Sequence, residues 1–418
     1  MAPPTLRKED YHVACIAAIP EEYAAFIQMF DLLHTRPQGI DEADPNKYEF
    51  GTIAGHNVVF CPAGRSGTDN AATAATDLRR SFKEIKFGLV VGIGGGVPSD
   101  ICDIRVGDVV VAAPGHLSSG ITHHDRGKQL SGEFIQLDFP VSAPRELQGA
   151  VCEMQAIDIL RESKIPDIIS AVVERRPLFQ RPDEQYDLLF QSDYEHVPGS
   201  PTCNNCSKER LVKREARKQL VPQVHYGPIA SGNQVVKSAA KRDSLRRLYG
   251  VYCVEMEAAG VMISLPSLVI RGISDYADSH KNDHWKKYAA LSAAAYAKEL
   301  LTRIPPFGTG GSLRETHREI GQPTAPPSRG PAIEDLLDHK AQQIRAGDWR
   351  ASIVDLLKVL GLKWDSRSRQ ELADILQVSE GSSGSPKRNN ALRRVLMGHL
   401  RVENGEIAYL SELERLKY

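Results

Sequence analysis

The segment Val254-Glu255-Met256-Glu257-Ala258-Ala259, followed after one short helix by Leu268-Val269-Ile270-Arg271-Gly272-Ile273-Ser274-Asp275, decides how the rest of the chain reads. The second run is almost continuously apolar and ends in Ser-Asp, the pattern of a fully buried strand with polar residues at its carboxyl end. In open α/β sheets ligands bind at that end. The first run places two acids and a thioether where a buried strand should turn into a helix. Two carboxylates on one rim, Glu257 and Asp275, suit a clamp on sugar hydroxyls and a proton donor. Each acid also has a plainer use, Glu257 as an exposed carboxylate in a first helical turn and Asp275 as an N-cap. What lies upstream tips the balance.

Towards the N-terminus, His12 to Ile19 is a short buried strand, and Pro20-Glu21-Glu22 opens a helix whose apolar face includes Tyr23, Phe26 and Phe30. Proline and acids in a first turn are ordinary start signals, so Glu22 on its own reads as a complement to the helix dipole. Tyr48-Glu49-Phe50 and Asn57 to Cys61 are strand-like runs joined through Ala54-Gly55, a hairpin signal. Pro62-Ala63-Gly64-Arg65-Ser66-Gly67-Thr68 is a glycine-bearing loop before an Ala-rich helix from Asn70 to Phe82. Phe87-Gly88-Leu89-Val90-Val91 then runs into Gly92-Ile93-Gly94-Gly95-Gly96, and the next element, Asp108 to Ala112, is again a strand. A dinucleotide fingerprint needs strand, turn and helix in succession, so that reading is rejected. The glycines instead allow backbone to approach a flat ligand closely. Strands alternating with helices predict a mainly parallel α/β sheet with hairpins embedded.

Residues from about 141 to 222 form an inserted segment in which strand periodicity fades and charge and proline increase. Within it, Cys203-Asn204-Asn205-Cys206 with His196 upstream supplies part of a zinc ligand set. Only one such pair exists and no fourth ligand is evident, so a loop with free thiols is the favoured reading and no metal is assigned. The basic stretch Lys208 to Lys218 reads as a solvated face, with Lys213 or Arg214 as the phosphate-binding alternative. His225 to Val236, a strand running into a loop, restores order, and a helix from about Trp285 to Leu301 closes a domain spanning 11–305. Residues 306–332 read as a Pro/Gly/Ser-rich linker and 333–418 as a small all-α domain with apolar residues at helical spacing. The 418 residues, 41% apolar with a net charge of −1, permit a sizeable core and give no global field for nucleic acid or membrane. Seven scattered cysteines and a start without an apolar core point to reduced thiols in the cytoplasm.

Ala17-Ala18-Ile19-Pro20-Glu21-Glu22, Val91-Gly92-Ile93-Gly94-Gly95, Ser231-Gly232-Asn233, Val254 to Ala258 and Arg271-Gly272-Ile273-Ser274-Asp275 together resemble the nucleoside phosphorylase and nucleosidase superfamily. The likeness is closest to its 5′-methylthioadenosine/S-adenosylhomocysteine nucleosidase branch, and to fungal domains of that type found beside signalling NTPase modules. It covers most of residues 11–303 in family order. The resemblance implies a three-layer α/β/α fold around a distorted central sheet, assembled as a homodimer or higher homo-oligomer. The C-terminal part is similar to a small helical appendage, read here as an interaction element with a protein partner.

Carried onto these positions, the resemblance implies cleavage of a purine N-glycosidic bond. Asp275 would protonate N7 of the leaving base, a role suited to a carboxyl whose pKa is raised by burial. Glu257 would accept hydrogen bonds from the ribose hydroxyls, Met256 would pack on the sugar, and Val235 with its neighbouring backbone would hold the base. Glu22 would activate water. Glu255, Asn233, Gly94, Gly95, Ala63, Arg65, Arg271 and Ser274 complete the expected substrate contacts. Related phosphorylases place arginine after the first strand and before the glycine turn. Pro20-Glu21-Glu22 and Val90-Val91 occupy those places here, which favours water over phosphate as the nucleophile. Arg65 keeps phosphorolysis as the alternative, and a non-catalytic nucleoside-sensing scaffold is the second. Adenine is the best-fitting base, with ATP or another 5′-substituted adenosine as substrate if Lys208 to Lys218 holds phosphates. His123-His124-Asp125 reads either as a surface pair or as a contact to the substrate's 5′ end. No organic cofactor is implied.

Overall fold

A computed structural model of the chain describes residues 3–115, 118–130, 133–136, 143–200, 202–307, 333–344, 347–349, 352–376, 378, 382, 384–399, 401–403 and 406–408. Most of the expected linker, 306–332, lies outside the described residues. The chain divides into two compact units, Met1–Leu313 and Arg314–Tyr418.

In the first unit the order is β1 (Val13–Ala17), α1 (Pro20–Phe26), β2 (Leu32–Leu33), β3 (Glu49–Ile53), β4 (His56–Pro62), α2 (Thr68–Ser81), β5 (Phe87–Gly96), β6 (Val109–Ala112), β7 (Ile121–His123), β8 (Gly127–Leu130), β9 (Glu133–Gln136), α3 (Arg145–Leu160), α4 (Ile165–Arg175), β10 (Val224–Gly227), β11 (Ile229–Ser231), α5 (Ala239–Tyr249), β12 (Cys253–Glu255), α6 (Ala258–Ser264), β13 (Ser267–Asp275) and α7 (Lys286–Leu301). Among the described residues eleven strands form one mixed sheet in the order β10-β6-β13-β5-β1-β4-β3-β2, with β12, β11 and β7 branching from β5. The strands at its centre, β13, β5, β1 and β4, run parallel, β1 and β13 buried throughout and β4 and β5 nearly so. The hairpin between β3 and β4 turns through Ala54 and Gly55, both with positive φ (50° and 82°), as a two-residue turn that matches strand twist requires.

Strand β5 sets the geometry of the site. Its first half pairs with β1 as far as Val90, and it then parts from β1 to meet β12 antiparallel at Gly95 and Gly96. Beyond Ile16 the ends of β1 and β5 therefore diverge, and α1 starts in the gap. Helix α7 lies over β13 and β5 beside α1 and α4, whereas α2 and α6 pack on each other and reach β4 and β13. The approach of α7 is tight at Gly272, where a Cβ would overlap the Ala289 carbonyl. This is a mixed α/β sheet sheathed in helices, the fold class read from the sequence.

The inserted segment consists of α3, α4 and then chain with short 3-10 turns, Cys203–Asn205 and Lys208–Arg210 among them. Buried Glu299 on α7 anchors it by accepting from Ser163 Oγ and the Lys164 N–H (both 3.0 Å). The second unit holds α8 (Ile333–Ile344), α9 (Ile353–Val359), α10 (Ser366–Ile375) and α11 (Pro386–His399). Its own core includes Leu337, Trp349, Leu356, Leu372 and Leu396. A short antiparallel pair, β14 (Arg401–Glu403) with β15 (Glu406–Ala408), follows these helices and was not anticipated by the helical pattern. Among the described residues no helix is long and apolar enough to cross a membrane.

Candidate active site

At the carboxyl ends of β5, β12 and β13 a cavity of about 270 Å³ opens, and Glu22, Glu257 and Asp275 all line it. Beneath it lies Arg271, with only 1% of its surface exposed. Its Nη2 donates to Glu255 Oε2 and lies 3.2 Å from Glu257 Oε2, and its Nη1 is 3.6 Å from Glu22 Oε1. One guanidinium thus sits among three carboxylates. The β13 register places Arg271 opposite Gly92 of β5. A Cβ at Gly92 would overlap both Glu22 Oε1 and Arg271 Nη1. The strand must be bare there for the cluster to exist.

Each carboxylate is held differently. Glu22 accepts the backbone N–H groups of Ala18 (2.7 Å) and Ile19 (3.1 Å) on one oxygen and of Ile93 (2.7 Å) on the other. It folds back on its own helix start, so the plain capping role and the cavity position coexist. Glu255 accepts from the N–H groups of Glu257 (3.1 Å) and Ala258 (3.0 Å), fixing the first turn of α6. Glu257 takes the Gly67 N–H at 3.3 Å. Burial, reinforced by the charges of Glu255 and Glu22 and opposed by Arg271, pushes Glu257 up to about 7. Asp275 accepts from Ser274 Oγ (2.7 Å) and the Ala277 N–H (2.9 Å), and Lys281 Nζ lies 2.9 Å from its Oδ2.

Of the residues singled out in the sequence, Glu22, Gly94, Gly95, Val235, Glu255, Met256, Glu257, Ser274 and Asp275 line this cavity. Arg271 is the counter-ion under the wall. Asn233 is a clip outside it: its Oδ1 takes the Thr68 N–H (2.8 Å) and its own N–H goes to Asp125 Oδ2 (2.7 Å). Neither Ala63 nor exposed Arg65 contributes to the lining; from their loop it is Ser66 that does. His123 pairs with Asp125 (3.0 Å), and His124, expected at the surface or the substrate, is buried against Gly232. Gly94 and Gly95 do face the cavity, but the space their missing side chains leave is taken by Cys253 and Val254 in one case and by Asp275 and Ala277 in the other. These glycines serve close packing of the protein against itself.

Lys281 and Lys286 line the cavity and escaped the sequence reading. They follow the Ser-Asp strand end in a loop and at a helix start, where no periodic pattern marks them. Both are paired, Lys281 with Asp275 and Lys286 with Asp283 (2.8 Å). The basic stretch lies elsewhere. Arg210 pairs with Asp193 (2.6 Å), Arg214 with Asp187 (2.8 Å) and Arg217 with buried Asp108 (2.5 Å). Lys213 and Arg214 line a separate cavity of about 520 Å³ with Arg242 and Arg246. Away from both cavities, the ligand atoms of His196, Cys203 and Cys206 all lie within 4.8 Å of one another.

A family model described as the phosphorylase superfamily matches residues 12–304, and one described as a domain of unknown function matches residues 306–408. A nucleotide-binding leucine-rich repeat (NLR)-like protein of Hyaloscypha variabilis is 42% identical over 305 residues, 72% of this chain and 30% of that protein. The 5′-methylthioadenosine/S-adenosylhomocysteine nucleosidase of Mycobacterium bovis is 25% identical over 300 residues, 70% of this chain and 96% of its own length. An ATP nucleosidase of Escherichia coli, Cap17, is 38% identical over 84 residues, 19% of this chain and 17% of that protein. The chain therefore spans less than a third of the NLR-like relative and nearly all of the mycobacterial one.

Proposed function

The chain belongs to the phosphorylase superfamily, and from that premise we propose that its first unit is a purine nucleosidase that hydrolyses the bond between adenine and ribose. One observation carries the reading: Glu22, Glu257 and Asp275, far apart in sequence, line a single cavity. Breaking this bond develops positive charge on the sugar and negative charge on the base, as in other glycosyl transfers. Asp275 delivers a proton to the departing purine, and Ser274 and the Ala277 N–H fix its orientation. Glu257 accepts the ribose hydroxyls, Met256 packs on the sugar and Val235 on the base. Glu22 orients the attacking water, its carboxylate held by three backbone N–H groups.

The charge around Glu22 favours water over phosphate. Arg271 is enclosed by three carboxylates, and the cavity's two lysines are paired with Asp275 and Asp283. An incoming phosphate would meet carboxylate first. The similarity to a methylthioadenosine/S-adenosylhomocysteine nucleosidase and the shorter match to an ATP nucleosidase make adenine the base of choice. The 5′ substituent does not reach Lys208 to Lys218 in this reading, because that stretch borders another cavity. Chromatography of adenosine, methylthioadenosine and ATP after incubation with the chain, with and without phosphate, tests the proposal. Free adenine and unphosphorylated C1 of ribose in phosphate-free buffer are expected. Turnover only with phosphate would make the chain a phosphorylase, and none under either condition would leave the scaffold reading.

A further inference from the structure

We propose that His196, Cys203, Cys206 and His280 form a tetrahedral zinc site that fastens the inserted segment to the loop after β13. The Cys-x-x-Cys pair lies in one 3-10 turn, closed by the Cys206 N–H donating to the Cys203 carbonyl (3.0 Å) and capped by Thr202. This turn brings both sulfurs to one side, and with the His196 ring nitrogen they make a triad within 4.8 Å. A zinc tetrahedron with bonds of about 2.3 Å to sulfur and about 2.0 Å to nitrogen has S–S and S–N edges of roughly 3.5–3.8 Å, so the triad has only about 1 Å to close.

The fourth ligand, which sequence spacing could not supply, is assigned to His280, whose ring nitrogens stand outside the 4.8 Å triad and move in to complete it. His280 is 4% exposed, and neither of its ring nitrogens has a hydrogen-bond partner, Asp278 Oδ1 standing 3.7 Å from Nδ1. A buried imidazole in that state carries an unmet polar demand. Its ring centroid lies 5.4 Å from that of His196, and its carbonyl is 3.8 Å from Cys203 Sγ. Stacking on Phe190 (centroids 3.9 Å apart) fixes the ring plane as an outer shell would. Two sulfurs and two imidazoles are the donor set that zinc prefers, and four protein ligands make a closed structural centre with no open catalytic position. Binding one Zn²⁺ releases the two thiol protons to solvent and leaves the metal's oxidation state unchanged.

The site is independent of the proposed reaction, so metal content tests it directly. The 418-residue chain produced with zinc and purified without chelator is expected to carry stoichiometric zinc by mass spectrometry of the metal. Loaded with Co²⁺ instead, it is expected to show sulfur-to-cobalt charge transfer and the strong visible bands of a tetrahedral ion. Titrating the folded wild-type chain with an organomercurial is expected to release the zinc to a chromogenic chelator, a result that requires no variant. Cys203→Ser combined with Cys206→Ser should lose the metal, and His280→Asn should weaken it about 10-fold or more and alter the cobalt spectrum. Three results would overturn the site: a metal-free chain that gives no cobalt charge transfer, zinc retained in the double serine variant, or a Cys203–Cys206 disulfide in the purified protein. An unchanged cobalt spectrum in His280→Asn would remove His280 from the ligand set and overturn the four-residue assignment.

Discussion

Four acids line the cavity under different constraints, and variants of two of them should separate cleanly. Asp275 stands at the end of β13 with Ser274, Ala277 and Lys281 as partners. Asp275→Asn keeps the shape and removes the proton, so adenine release should fall by roughly 10²–10⁴ while circular dichroism stays unchanged. A variant cleaving at the parental rate would end the mechanism. Glu257 titrates near neutrality, up from its ordinary 4.5 to about 7. As its carboxylate is the form proposed to accept the ribose hydroxyls, kcat/KM is expected to climb as pH rises through about 7. Glu257→Gln should abolish that limb and cost about 1.5–3 kcal/mol of transition-state binding. Stability runs the other way. The native state holds a proton that the unfolded chain has already shed, so this group's contribution is complete below about 4.5 and disappears as pH rises through about 7. Denaturant titrations of wild type and Glu257→Gln across that window would detect it.

At the scale of elements, β5 carries the strictest demand. Gly92→Ala forces a methyl group into Glu22 and Arg271. Neither can retreat without breaking the ion cluster, so urea unfolding should report a loss of about 1–3 kcal/mol together with loss of activity. Gly149, on the exposed side of α3 with nothing within 4 Å of a Cβ, is the matched control. Gly149→Ala should stabilise the chain by about 1 kcal/mol through helix propensity. The contrast explains what the sequence could and could not convey. The apolar run of β13, the Pro-Glu-Glu start of α1 and the Ala54-Gly55 hairpin were legible because local periodicity and turn chemistry dictate them. That Gly92 clears space for Arg271 was not, since it depends on which residues two distant strands bring opposite each other. Arg271, expected to touch substrate, is held inward for the same reason. Lys281 and Ser66 lie in loops, where cavity lining follows from the path of the chain and leaves no pattern.

Among the described residues the apolar clusters of the sheet unit, a large one and a smaller one around Val97 and Leu245, share no member with the cluster formed by residues after 333. Differential scanning calorimetry of the full chain should therefore resolve two transitions, and adenine at saturating concentration should raise only the one belonging to the first unit. A single transition would show that the units melt as one. Within the first unit one of the bridges from the insert to the loop after β13 is the His196 N–H donating to Ser279 Oγ at 3.0 Å, two residues before the lysine that grips Asp275; Arg214 donating to Tyr276 Oη (2.9 Å) is another. The path from His196 to Asp275, the proposed proton donor, thus runs through a few residues. On the proposed mechanism, a pull on the region around Cys203 would be felt at the acid's own tether, a handle on turnover that lies outside the cavity.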